Sequence, residues 1–391
     1  MKLASRLGLL SIVSAAALLT AAYFHPTDPG GLTIHEWGTF TSVAGEDGSS
    51  VDWDSLGCSN DLPSFVNDFG YRGFKWRLTG TVRMETPVMY FYSQHAVDTH
   101  VKVSFPLGLI TEWYPRADYE VFQRDRADGL MHQLPANING IDTSLKSVAG
   151  YLEWKNIKVE PDTSPAFPTE MSPSRYYAAR ATDAAPITVD GQHEKFLFYR
   201  GVGRLSVPLN ARAQHDGKIA VKNLTPNPVP TVILFENRGG QVGYRNVGAV
   251  AQTATLDPPS LDGSIPALRQ EIESALVENG LYSKEAYAMV ETWRDSWFEE
   301  GSRLIYILPT PAVNEFLPLE VTPRPLQTAR VFVGRIELIT PYIKDTIEQA
   351  IAKNDVATLS HYGRFLKPIF ARLWSENTAE KLIEGLGLRC P

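Results

Sequence analysis

The run His100-Val-Lys-Val-Ser-Phe105 alternates strictly, with Val101, Val103 and Phe105 on one face and Lys102 and Ser104 on the other. That is the period of a strand with one buried face. Val82 to Tyr92, Phe196 to Tyr199, Lys218 to Asn223 and Thr231 to Glu236 are further strand candidates, and Ile157 and Val159 alternate with polar neighbours. Leu224-Thr-Pro-Asn-Pro-Val-Pro230 separates two of these runs and cannot continue a ladder, because proline donates no backbone hydrogen bond. Pro161 to Pro173 reads as loop and Gly239-Gly240 as a turn after Arg238. From Thr33 to about Pro259 the pattern is therefore that of an antiparallel β-sandwich or jelly-roll-like domain, mainly β with α additions.

Helical spacing begins near Ser264 and strengthens from Ser283, a candidate N-cap, to about Phe298. Arg303 to Leu308 and Ala329 to Ile339 return to strand character. Pro341 to Leu386 is helical again, with Pro368 as a break or kink. The domain reading is a signal or anchor at 1–22, a linker at 23–32 and a β-rich domain at 33–260. Helix plus strands packed on that domain follow at 261–340, then a helical C-terminal region at 341–391.

The N-terminus changes the picture most. Lys2 and Arg6 precede an apolar run from Leu7 to Ala22, and Thr20-Ala21-Ala22 offers the small residues that a signal peptidase takes. The run is shorter than the ~20 residues that span a bilayer comfortably, so contact with a membrane is expected only through this segment if it stays uncleaved. The predicted address is periplasmic or extracellular. The chain carries 37 Lys+Arg against 44 Asp+Glu, a formal net charge of −7. Without residues 1–22, which hold two basic groups and no acid, the remainder is more acidic still. Such a balance, without basic runs, argues against a nucleic-acid partner. Cys58 and Cys390 are the two cysteines; in an oxidising compartment they allow one disulfide, or remain two separate thiols. The bond would close a loop nominally worth roughly 5–6 kcal/mol in chain entropy.

Four blocks belong together: Ile34-His-Glu-Trp-Gly-Thr-Phe40, Met84-Glu-Thr-Pro-Val88, Trp297-Phe-Glu-Glu-Gly301 and Val331-Phe-Val-Gly-Arg-Ile-Glu337. They resemble segments of an uncharacterised family of exported bacterial proteins. The resemblance implies export and brings no catalytic residue with it.

Candidate chemistry centres on carboxylates and tryptophans. On the helix from Ser283, Ala286, Met289, Val290, Trp293 and Trp297 share an apolar stripe, and one further turn would set Glu300 inside it. A carboxylate against an indole loses hydration and gains acid character, so Glu300 is the candidate general acid. The structural alternative ends the helix earlier and leaves Glu300 paired with Arg303 or accepting backbone N–H groups. Glu85 and Glu112 are the candidate partner carboxylates, and Trp37, Trp113, Trp293 and Trp297 the candidate sugar-stacking platforms; a large sandwich also fills its core with such residues. His35-Glu36 is not a zincin signature, because Thr39 stands where the second histidine belongs. On a strand His35 and Glu36 face opposite sides, and His35 is the candidate ligand for a divalent metal. His95, Asp98 and His100, and the acidic loop from Glu46 to Asp54, offer weaker metal-compatible sets.

Two functions follow from these residues. One is a hydrolase acting on glycan or another envelope substrate, with Glu300 as acid and Glu85, Glu112 or His35 as partners. The other is a non-catalytic binding or scaffolding module of the cell envelope, with a glycan or an envelope protein as its partner.

Overall fold

In the computed structural model, which describes residues 31–54, 62–69, 78–125, 127–134 and 141–388, the alternation around Val101 is real. Val101, Val103 and Phe105 are buried, while Lys102 and Ser104 are partly exposed. Residues 1–30, and with them the signal segment and most of the linker, lie outside the described residues, as do Cys58 and Cys390 and the disulfide they would form.

In chain order the strands begin with β1 (Thr33–Val43), β2 (Asn67–Asp68), β3 (Val82–Tyr92), β4 (Val97–Phe105), β5 (Gly108–Tyr114), β6 (Asp118–Arg124) and β7 (Met131–Leu134). There follow β8 (Val148–Val159), β9 (Ile187–Val189), β10 (Gln192–Glu194), β11 (Leu197–Gly203), β12 (Leu209–Ala213) and β13 (Ile219–Asn223). After β14 (Val229–Arg238), β15 (Gln241–Val250) and β16 (Thr253–Leu256) come the helices α1 (Ile265–Glu278) and α2 (Ser283–Trp293). Strand β17 (Gly301–Ile307), helix α3 (Thr310–Phe316) and strands β18 (Leu319–Thr322) and β19 (Gln327–Leu338) lead into the tail. The tail is α4 (Pro341–Ala352), α5 (Val356–Ser360), α6 (Leu366–Leu373) and α7 (Glu376–Gly385).

A nine-stranded sheet runs β15-β14-β17-β19-β1-β3-β11-β5-β2, and a second sheet runs β10-β9-β8-β4-β18 with β6 and β7 attached beside β8. One apolar cluster joins their facing sides. Ile34, Phe40, Met84, Phe91, Leu304 and Tyr306 from the first sheet meet Val101, Val103, Phe105, Leu152 and Trp154 from the second. The small sheet β12-β13-β16 adds Leu209, Val221 and Leu256 to the same cluster. The chain is thus a mainly β sandwich with helical additions.

Two features differ from the sequence reading. Strands β1 and β19 pair in parallel at the centre of the large sheet, so that sheet is mixed rather than purely antiparallel. A parallel pair needs a long connection, and here nearly the whole domain supplies it. Segment 261–340 does not simply pack on the β domain: its strands β17 and β19 lie between β14 and β1 and complete the sheet.

Helices cover the outer face of the large sheet. Leu268 and Ile272 of α1 and Met289, Val290 and Trp293 of α2 pack on Trp37, Phe235, Ile305 and Val333. Ile343, Ile347, Leu366, Ile369 and Phe370 of the tail pack around Val43 and Trp53. Burying each such side chain contributes ~1.5–3 kcal/mol. Five of them outweigh any one ion pair, so apolar burial holds the tail in place and polar contacts decide how it is seated. Pro368, expected to break the tail, sits in the first turn of α6, where its missing N–H removes no helical bond. The break comes earlier, at Asn354, whose φ is 53°, and at the 3₁₀ turn Gly363–Phe365.

Candidate functional site

Strand β1 is buried along its whole length on both faces, and its polar residues must therefore find partners inside the protein. His35 points to the helical layer and Glu36 to the sandwich core. The His35 Nδ1 lies 2.8 Å from the Glu285 carboxylate on α2, and both side chains are 0% exposed. Glu285 also accepts from the Tyr92 hydroxyl at 2.7 Å and, reaching back to the N-cap of α2, from the Tyr282 backbone N–H at 2.7 Å. Tyr282 is the N-cap, one residue before the expected Ser283. The Tyr282 ring packs 4.3 Å from the imidazole, and Tyr92 meets it edge-on. Burial, and then the charge of Glu285, raise the Tyr92 hydroxyl, so it remains a donor. On the other side Glu36 accepts from Tyr199 and from Arg330, which also donates to Asn314 and to the Leu317 carbonyl.

A carboxylate that orients one imidazole nitrogen is the arrangement that serves catalytic and metal-bound histidines. Here it is sealed. Nothing in solvent reaches His35, and among the described residues it belongs to no group of three metal-ligating side chains; Asp125, Asp128 and His132 form such a group on an exposed hairpin.

Further along the same face, β3, β1, β19 and β17 place charged groups side by side. Arg303 grips Glu337 through Nε and Nη2, both at 3.1 Å. Arg335 bonds Glu337 at 3.2 Å, Glu299 at 2.8 Å and the Ser296 carbonyl at 2.6 Å. Glu85 accepts from Thr41 at 2.7 Å, lies 3.1 Å from Arg83 Nε and accepts from Arg364 of the tail. Burial alone would raise the Glu85 carboxyl, but Arg364, Arg83, the Thr41 hydroxyl and Arg335 outweigh it and lower it to about 2. Burial likewise opposes ionisation of Glu299, and Arg335, Arg364 and Arg303 overcome it. Carboxylates held this way stay ionised at any ordinary pH and do not act as acids.

Glu300 is not in the apolar stripe. Helix α2 ends at Trp293, and Arg303 takes the carbonyls of Trp297, Glu299 and Glu300 that a longer helix would have used. The Glu300 carboxylate, partly exposed, accepts the Gly239 N–H at 3.0 and 2.9 Å. It thereby caps the β14–β15 turn, where Gly239 and Gly240 have φ of 62° and 84°. This is the backbone-accepting alternative for that residue. Glu291, Asp295 and Glu299 each meet an arginine: Arg269 and Arg294, Arg175, and Arg335.

Glu112 is buried in β5 and accepts from Thr111. Trp37, Trp113, Trp293 and Trp297 are all buried, from 0% to 7% exposed, so none offers a ring face to a sugar in solution. They fill the core instead, because a sheet covered on both sides has no solvent face for large rings. His100 pairs with Glu153, and the acidic loop is tied down, Asp52 by Arg204 and Asp54 by Lys367.

No family model matches the chain, and no curated protein matches it. Among solved structures it is similar to the Fcho1 mu homology domain of Danio rerio with bound Eps15 peptide. The identity is 7%, the TM-score 0.30, and 80% of this chain and 97% of that one are covered. It is similar also to the yeast delta-COP-I mu-homology domain, at 9% identity and a TM-score of 0.28 over 80% of this chain and 99% of that one. Likeness at this level says nothing about activity.

The ionic lattice is the feature that sequence reasoning missed. Its signal was present: Arg83 and Glu85, and Arg335 and Glu337, stand two apart within otherwise apolar strands, hence on one face. A pair of opposite charges at that spacing in a buried strand points to an internal ion pair.

Proposed function

We propose that the protein is an exported, non-catalytic binding or scaffolding module of the cell envelope. The observation that carries this reading is where the candidate catalytic groups stand. Glu85, Glu112 and His35 are buried, Glu300 is tied to a turn, and Glu85, Glu300 and His35 have no bonding partner in common among the described residues. Catalysis needs its acid and base within reach of one substrate atom. These side chains instead knit strands to helices and make a rigid platform. Export is supported by Lys2, Arg6 and the apolar run that follows, and by the resemblance of the four sequence blocks to exported bacterial proteins.

Incubating the full chain with envelope glycan fragments, with and without divalent metal, and analysing them by mass spectrometry tests the reading. The expected result is intact fragments, together with cross-linking to a defined envelope component. Cleavage that disappears in Glu300→Gln or Glu112→Gln would overturn it. Recovery of the unprocessed chain from the cytoplasmic fraction would overturn the export half alone.

A further inference from the structure

A cleft of about 190 Å³ opens where the loop after β1 meets the approach to β12, with Ser49, Thr81, Arg204, Ser206, Asn210 and Leu224 among its walls. Its shape is fixed before anything enters. Gly48, at φ 82°, presses so close to β12 that an added Cβ would stand 2.3 Å from Asn210 Oδ1. The Gly48 carbonyl takes the Ala211 N–H at 3.2 Å, and Asn210 Nδ2 donates to the Asp47 carbonyl at 3.1 Å. On the floor, buried Leu205 exchanges two hydrogen bonds with the Thr81 hydroxyl, both at 3.1 Å. Arg204 is held from two sides, donating to the Ser144 carbonyl at 2.9 Å and pairing with Asp52 at 2.5 Å.

We infer that this cleft binds one neutral sugar ring. The inference rests on the binding-module reading above and gives that module a ligand class. Volume sets the first limit: drug-sized ligands fill ~300–1,000 Å³, so this cleft has room for a single ring. Charge sets the second. Arg204 is already neutralised by Asp52, so the rim offers no net cation to a phosphate or carboxylate. It offers the hydroxyls of Ser49, Ser50 and Ser206 and the Arg204 guanidinium, which accept from and donate to neighbouring hydroxyls of one ligand. The half-exposed Leu224 side chain suits the C–H face of a pyranose. Walls held in place in advance lower the ordering cost of binding, which a ligand this small could not otherwise offset.

Saturation-transfer NMR on the full chain with neutral hexoses, N-acetylhexosamines and their disaccharides, and with glucuronate as the charged control, tests the inference. At least one neutral sugar should show transfer and glucuronate none. Ser206→Trp, which fills the exposed mouth, should abolish the signal without changing Tm, and Arg204→Met should weaken binding at least about tenfold. No transfer to any neutral sugar, or transfer unchanged in Ser206→Trp, would overturn it. A chain that cross-links to an envelope component but binds no sugar loses this inference and keeps the module reading. One that binds a sugar here and also cleaves it does the reverse.

Discussion

Arg364, in the helical tail, donates to the buried carboxylate of Glu85 in β3, 279 positions away in the chain. Its second nitrogen reaches the Ser296 hydroxyl at 3.2 Å, and its guanidinium lies 4.9 Å from the Phe365 ring, so one side chain joins the sheet, the segment after α2 and the tail. Removing one partner of a buried pair costs ~3–5 kcal/mol, because the other charge is left without compensation. Glu85 keeps Arg83 and Thr41, so Arg364→Ala should destabilise the protein by the lower end of that range, about 3 kcal/mol. Hydrogen exchange should rise across 341–388 before it rises in β1 or β19. Equal loss of protection in tail and sheet would mean that the ion pair is not what seats the tail.

The same contact predicts an acid limb. Glu85 has a folded-state pKa lowered to about 2, against 4.5 for the free group. A depressed carboxyl stabilises the fold above its unfolded value and loses that contribution as pH falls through the folded one. Stability should thus be level above pH ~5 and decline between about 4.5 and 2, by on the order of 3 kcal/mol from this group. Urea unfolding of the wild type and of Glu85→Gln across that range measures it. The variant should be less stable at pH 7 and show a shallower decline on acidification; parallel curves would rule Glu85 out as the source.

How much of this was legible divides along the question of which faces are buried. β4 was readable because its apolar positions recur at strand spacing. The centrality of β1 and β19 was not, because a strand buried on both faces has no polar side, and alternation then carries no orientation. His35 and Glu36 look like candidate chemistry for the same reason, since charges are rare in buried strands and their partners, Glu285 and Arg330, sit 250 and 294 positions away. Glu300 failed differently. Periodicity continues through Trp297 in the sequence, but Arg303 captures the carbonyls, a tertiary interaction that no helix pattern contains.

Glu285 is asked to satisfy three donors at once, from His35, Tyr92 and the Tyr282 backbone. Glu285→Leu should cost on the order of 3 kcal/mol, since each buried donor left unpaired costs ~1–3 kcal/mol and part of that is recovered by the added apolar volume. His35→Leu should cost less, because the carboxylate keeps its Tyr92 and Tyr282 donors. Because both remove one shared contact, the double substitution should cost less than the sum, with a coupling of ~0.5–3 kcal/mol. Thermal unfolding of the four proteins gives the answer, and strict additivity would show that the His35–Glu285 bond is not formed.

Gly334 of β19 lies opposite Tyr306 of β17 with no room between them: a Cβ there would stand 2.0 Å from Tyr306 Cζ and 2.3 Å from Cε1. Tyr306 is fully buried in the sandwich core, so its ring has nowhere to retreat. Glycine here is a matter of space. Gly334→Ala should therefore destabilise by ~1–3 kcal/mol through overpacking. Tyr306→Ala should cost ~3–5 kcal/mol through the cavity it leaves. In the double variant the alanine methyl at 334 points into that cavity, so the penalty of Gly334→Ala should vanish or change sign. Chemical denaturation of the pair decides it. If Gly334→Ala costs the same with and without the Tyr306 ring, the close approach of β19 to that ring is not what requires glycine.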